Sequence, residues 1–535
     1  MKTLILAAIR CSLVFIPVTT SIFCVRPAQA YTVTLRQVGA NVVATGSGAI
    51  NLTGLSSAGF VNNFTALIDA SPRPRPTPAP RPTPIPPQAP IQAWVALYNG
   101  PTSNDDEATA MAVDGSGNAY ITGKSLGTTY PDFDYATIKY NSAGQQQWVA
   151  RYNGPGTDDD EPAAIAVDDS GNVYVTGYSL NSPGGFASYA TIKYNAAGQQ
   201  QWVARYSGTA GASLATAIAV DSSGNVYVTG FSWAPDTTFD YATIKYNSVG
   251  QQQWVARYNG PGNFDDEAHA IAIDGTGNVY VTGGSWDDYT DYATVKYNSV
   301  GEQQWVVRYS GPGHYLDDAK AIALDNFGNV YVTGSSYGPN TESDYATVKY
   351  NAAGQQQWIA RYNGPGNLWD YARGIVVDSS SDVYVTGASQ DTDGADDYAT
   401  IKYNSTGQQQ WVARYNGPTG SGGDAAAIVI DTADNVYVTG YSSSNVGLDY
   451  ATIKYNSAGQ EQWVARYSGT ANGESFATAI AVNSPGNVYV TGYSSDPVTV
   501  YDFVTIKYVE PTPTPTPSPI VTPRPRPTPC PRPTP

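Results

Sequence analysis

The chain has 535 residues with a formal charge of −17, and 41% of it is hydrophobic with 41 Tyr against 12 Phe. Acidic residues outnumber basic ones 45 to 28, which argues against nucleic acid as a partner, since phosphate backbones are held by Lys and Arg. Three cysteines and two histidines, His269 and His314, supply no ligand set with zinc spacing.

Residues 1–30 begin with the basic Lys2, run apolar from Ser12 to Val25 and end in Ala28-Gln29-Ala30. This is the pattern of a secretory signal peptide with a small-residue cleavage site, and it predicts a secreted or envelope-associated protein. Arg10 interrupts the apolar stretch, so no transmembrane span is expected in the mature chain. Cleavage removes Cys11 and Cys24 and leaves Cys530 alone, which excludes a disulfide within the mature chain.

Residues 31–70 form a short β-rich segment whose runs Thr32 to Val38 and Val42 to Thr45 predict a small hairpin. Residues 71–90 are a proline-rich linker, and residues 510–535 are a proline-rich tail of the same style that contains Cys530. Both are expected to be extended, solvated spacers.

Between them, residues 91–509 repeat one phrase eight times. Aligned on tryptophan, the copies fall at Trp94, Trp148, Trp202, Trp254, Trp305, Trp358, Trp411 and Trp463, a spacing of 51 to 54 residues. Each unit contains four β-rich runs typified by AIAVD, NVYVTG, YATIKYN and QQWVARY. The first pair is joined by D-x-x-G-N, as at Asp168 to Asn172, and the last pair by Y-N-x-x-G-Q, as at Tyr140 to Gln145. An early Asp or Asn and a late Gly are hairpin chemistry, so each unit predicts a four-stranded meander, one blade of a β-propeller. The alanine-rich run suits the crowded innermost strand and the Trp-bearing run the outermost. The copies begin with the outermost strand and end with the third, so the N-terminal strand is expected to complete the last of eight blades and remove an open sheet edge.

The phrases AIAVDSSGNVYVTG and DYATIKYNSAGQQQW resemble the bacterial SBBP β-propeller repeat across residues 91–509. That resemblance implies an all-β propeller and no defined catalytic activity. Its name refers to seven blades, whereas eight units are counted here.

Residues 91–509 hold 18 basic and 43 acidic residues, a net charge of −25. The two constant turns fall on one face of the ring, and the variable loops, such as YNGPGTDDDEP and the loop after VYVTG, fall on the other. Variable loops on a constant frame mark the candidate binding face. After VTG-x-Ser the copies read Leu126, Leu180, Trp233, Trp286, Tyr337, Gln390, Ser443 and Ser495. The second residue of the inner run reads Thr109, Ala163, Thr216, His269, Lys320, Arg373, Ala426 and Thr478. Trp233, Trp286 and Tyr337 are therefore expected to line a patch near His269, Lys320 and Arg373, with Trp369 on a neighbouring loop. Flat rings beside charges suit an extracellular glycan or protein. The competing expectation is that the rings pack on their own loops and the cations neutralise acids such as Asp265, Asp266, Asp317 and Asp318.

The paired acids, and the loop Asp391-Thr-Asp393-Gly394-Ala-Asp396, carry donors of the type calcium takes, yet no copy has a full twelve-residue calcium loop. No cofactor is expected, with calcium left open. Neither histidine adjoins a GxSxG phrase, so no nucleophile and base pair is nominated. The sequence thus predicts a non-catalytic interaction scaffold; the alternative is a carbohydrate-active enzyme using carboxylates on the same face.

Overall fold

The computed structural model describes residues 33–38, 41–46 and 89–511, except residues 103, 128–131, 157, 210, 236, 446, 470–472, 484–485 and 496–499. The expected signal peptide, residues 71–88 and 512–535, and Cys530 lie outside the described residues. The described residues divide into two units, 33–46 and 89–511. In the first, Val33–Val38 pairs antiparallel with Asn41–Gly46, matching the expected hairpin.

The second unit is a propeller of eight four-stranded antiparallel sheets. In blade 1 the strands are Asp106–Val113, Ala119–Leu126, Phe133–Tyr140 and Gln146–Tyr152, ordered inside to outside. Blades 2 to 7 repeat that order over 160–206, 213–258, 266–309, 317–362, 370–415 and 423–467. Blade 8 takes Ser475–Asn483, Asn487–Ser494 and Asp502–Val509 from the end of the repeats. Its outermost strand is Ile91–Tyr98, paired antiparallel with Asp502–Val509 through Val95↔Ile506, so the ring closes as the phase of the copies predicts. Inner strands touch the inner strands of neighbouring blades all round, including Ser475–Asn483 against Asp106–Val113.

The turn residues act as read. In blade 1 the Asp114 carboxylate accepts from the Ser116 and Asn118 amides, the Asn118 side chain and the Tyr120 hydroxyl. At the outer turn Asn141 Oδ1 accepts from the Ala143 and Gln145 amides. Gly144 there has φ +79°, and a Cβ would lie 2.6 Å from the ring of Trp94 in blade 8. The indole therefore lies flat on the neighbouring blade's turn.

Most of the core lies between blades rather than within them. Tyr227 and Tyr241 of blade 3 pack on Ala268, Val279, Val281, Ala293 and Val295 of blade 4, and the other clusters repeat the plan. Fully burying such a side chain contributes roughly 1.5–3 kcal/mol. Polar clasps cross the same seams. Trp148 Nε1 and Lys139 Nζ of blade 1 both donate to the Ala196 carbonyl of blade 2, at 3.1 and 3.4 Å. Tyr241 of blade 3 donates to the Ala293 carbonyl of blade 4 at 3.2 Å. Arg361 binds Tyr309 of the preceding blade at 2.9 Å and Asp344 of its own at 2.8 Å.

Candidate binding face and channel mouth

Each inner strand carries a β-bulge near its start, as between Ala108 and Ala110 in blade 1 and between Ala319 and Ala321 in blade 5. The residue opposite is the glycine of the VTG phrase, Gly123 or Gly334, where a Cβ would strike the carbonyl of the bulged strand. Glycine is needed for that close approach, not for an unusual φ. The extra residue is the variable one: Thr109, Ala163, Thr216, His269, Lys320, Arg373, Ala426 or Thr478. A bulge re-aims its side chain, and here it does so on the strands that surround the axis.

In blades 3 and 8 the bulge residue is a spacer between blades. Thr216 donates to the Ala268 carbonyl at 2.7 Å, and Thr478 to that of Ala108 at 2.9 Å. Blades 4 to 6 substitute longer, nitrogen-bearing side chains. His269 Nε2 lies 3.1 Å from Asp318 Oδ1 of blade 5 and 3.2 Å from Lys320 Nζ. Lys320 Nζ lies 2.5 Å from Asp318 Oδ2. Arg373 is bidentate to Asp424 of blade 7, Nε at 2.9 Å and Nη2 at 2.5 Å. Burial pushes the Asp318 carboxyl up, but the His269 hydrogen bond and charge, with Lys320, hold it below the ordinary range.

Lys320 and Arg373 line one cavity of about 160 Å³ together with Ser335, Tyr371 and Ala372. The structure thus gathers all three predicted bulge residues into one sector: His269 meets Lys320 directly, and Arg373 meets Lys320 across the cavity.

The aromatics divide into two groups. Trp233 and Trp286 are 38% and 43% exposed, and each has a ring neighbour, Phe239 at 5.4 Å and Phe264 at 6.4 Å. Tyr337 and Trp369 are half-buried and meet edge to face at 5.5 Å. They form the middle of a run that sequence comparison between copies missed: Tyr289, Tyr315, Tyr337, Trp369 and Tyr371, with successive centroids 5.3, 5.0, 5.5 and 5.8 Å apart. Tyr289 and Tyr315 are 44% and 46% exposed. The run ends at Tyr371, which lines the cavity between Lys320 and Arg373. Tyr289 stands in a loop whose length varies between copies, where no equivalent position exists to compare, and Tyr315 in the entry loop, where the equivalent positions include Asn104, Asp158, Phe264, Leu368, Ser421 and Gly473; the strings DDYT and GHYLD were the available signals.

The acid that opens the inner strand in blades 1, 2, 4, 5 and 6 is not a surface group. Asp106, Asp266 and Asp370 are fully buried and accept from the amides of Gly100, Gly260 and Gly364. Asp160 and Asp317 do the same with Gly154 and Gly311. These carboxylates tie the entry loop to the inner strand, which removes them from the pool of catalytic or metal-binding acids. In the DTDG loop, Asp391 and Asp393 accept from the Thr392 and Ala395 amides at 2.6 and 3.1 Å. Among the described residues no group of three or more His, Cys, Asp or Glu is placed to hold a metal ion.

Fold and repeat together define a β-propeller repeat protein. Five segments, residues 93–131, 147–185, 201–235, 253–290 and 304–340, match the SBBP beta-propeller repeat. Each matched segment runs from an outermost strand into the first two strands of the next blade, so the unit of sequence straddles two units of structure. An uncharacterized WD repeat-containing protein of Acanthamoeba polyphaga mimivirus is 26% identical over 453 residues, 75% of this chain. The chain spans 29% of that protein's length. Among solved structures, a polysaccharide lyase aligns at TM-score 0.41 and 10% identity, covering 75% of this chain and 90% of its own. An alpha-L-arabinofuranosidase of Fusarium graminearum aligns at TM-score 0.37 and 9% identity, covering 59% and 98%. Likeness at that level carries no inference about activity. Among the described residues no helix is long and apolar enough to cross a membrane.

Proposed function

We propose that this propeller is a non-catalytic binding scaffold acting outside the cytoplasm, and that the variable face of blades 4 to 6 takes a glycan. The observation that carries this reading is the unbroken run of five aromatic rings from Tyr289 to Tyr371, flanked by the exposed Trp286. Sugar rings present flat C–H faces that stack on such side chains, and rings braced against one another lose little entropy on binding. Residues 1–30 support an extracytoplasmic setting through their signal-peptide pattern. The burial of the acids that open five of the inner strands weighs against the alternative of a carbohydrate-active enzyme.

A glycan array probed with the full chain tests the proposal. Trp369→Ala and Tyr315→Ala are expected to weaken the best glycan at least about tenfold, the size of effect that removing a stacking anchor produces. Wild-type binding in both variants sinks the aromatic run as the site, and accumulation of cleavage products supports the enzymatic alternative.

A further inference from the structure

The propeller's basic residues are almost all frame. Eight are the lysines of the third strand and seven the arginines of the outermost strand, each group bound to turns, tyrosines or acids of its own or the adjoining blade. Only Lys124, Lys320 and Arg373 fall elsewhere. Lys124 lies between Glu107 and Glu161, 3.4 and 3.9 Å away. The other two line the same cavity.

The polar side chains of that cavity are Lys320, Ser335, Tyr371 and Arg373, and no carboxylate lines it. In a domain of net charge −25, such a lining stands out against its surroundings. Donor arithmetic leaves capacity to spare. The Lys320 ammonium has three N–H bonds, of which Asp318 engages one. The Arg373 guanidinium has five, of which Asp424 engages two, through Nε and Nη2. Asp318 and Asp424 thus hold the two cations in place while free N–H groups and two hydroxyls remain for a ligand rich in acceptors. Charge-assisted hydrogen bonds of this kind favour an anionic acceptor over a neutral one.

We infer that the cavity between blades 5 and 6 receives an anionic substituent of a sugar, carboxylate or sulfate, so that the ligand of this face is an acidic glycan. The inference rests on the proposed glycan-binding reading, because the aromatic run leads into the cavity through Tyr371.

The test compares three probes on the full chain by calorimetry at low salt: a polyuronate, its fully methyl-esterified form, and a sulfated neutral polysaccharide. At least one charged probe is expected to bind ten-fold or more tightly than the ester, and which one does so distinguishes carboxylate from sulfate. Lys320→Gln and Arg373→Gln are expected to erase most of that preference, the charged probe losing more affinity than the ester. Lys124→Gln, which alters a cation outside the cavity, is expected to keep the preference, and thermal melts confirm that each variant folds. Equal affinity for charged and esterified probes, or a preference that survives in the Lys320 and Arg373 variants, overturns the inference yet leaves the aromatic reading standing. Failure of all three probes to bind overturns both.

Discussion

Asp106, Asp266 and Asp370 lie beneath entry loops, and burial pushes their carboxyls from the ordinary 3.8 up to about 6, against the pull of glycine amides and neighbouring serines. The turn aspartates behave oppositely. Burial works against Asp274, but donors from Asn278 and Thr276 outweigh it and hold its carboxyl down at about 2, and Asp114, Asp168 and Asp221 are lowered in the same way. Between about pH 4 and 6 the native state keeps protons that the unfolded chain has released, so the buried group's contribution to stability falls as pH rises. Below about pH 4 the unfolded chain takes up protons that the turn aspartates refuse, so stability falls as pH drops. The melting temperature is therefore expected to be higher near about pH 4.5 than near about pH 7.5 and to decline below about pH 3.5. Asp266→Asn is expected to shrink the difference between the first two values. An equal or higher melting temperature at the more alkaline pH counts against proton retention by these groups. None of this division was legible in the sequence, where both sets read as Asp near Gly and only burial separates them.

The bulge was legible in part. A glycine held in every VYVTG strand is a signal of close backbone approach, and its partner directly precedes the variable residue. Taken only as an alignment mark, that glycine places His269, Lys320 and Arg373 in one sector without showing why their side chains share one space. Strand count, order and closure were legible because eight copies act as replicate measurements of the same pattern. The outermost strands also show where one copy departs from the rest. Seven carry an arginine bound to the preceding blade's tyrosine, as Arg151 is to Tyr98 and Arg466 to Tyr415, whereas Ile91–Tyr98 has Leu97, 49% exposed. Leu97→Arg should place a guanidinium near Tyr467, Ser494 and Asp502, the equivalents of those partners. The expected gain is about 1 kcal/mol, read as a higher urea midpoint with an unchanged slope. A midpoint that stays or falls shows that the closing blade cannot seat this side chain.

At the scale of the whole ring, the seams of blade 8 carry the closure. Trp94 and Lys507 of blade 8 donate to the Ser142 carbonyl of blade 1, at 3.2 and 3.1 Å, as the Trp and Lys pairs of blades 1 to 5 do to the next blade. On its other side no outer turn exists to receive Trp463 and Lys454, because the chain leaves the third strand toward its end. Glu510 stands in for the missing turn: its Oε1 accepts from Trp463 Nε1 at 3.0 Å and Lys454 Nζ at 2.7 Å. Glu510→Ala leaves the indole N–H of the buried Trp463 without this acceptor and is expected to cost about 1 kcal/mol. Hydrogen exchange should then quicken in Ile91–Tyr98 and Glu461–Tyr467 before other outer strands, and Glu510→Gln, which keeps an acceptor oxygen, should restore most of the protection. Uniform exchange across all blades in the alanine variant shows that Glu510 plays no part in closure.

The repeat that straddles two blades also settles what adding or losing a copy does. A chain of such copies begins with one outermost strand and ends with three inner ones whatever their number, so its two ends remain complementary. Growth by one whole copy inserts a blade, demands no new terminal part and leaves Ile91–Tyr98 and Glu510 to close the larger ring as they close this one. Blade number is thus a quantity that duplication can change in single steps, while the variable loops carried by each copy decide what the enlarged face offers.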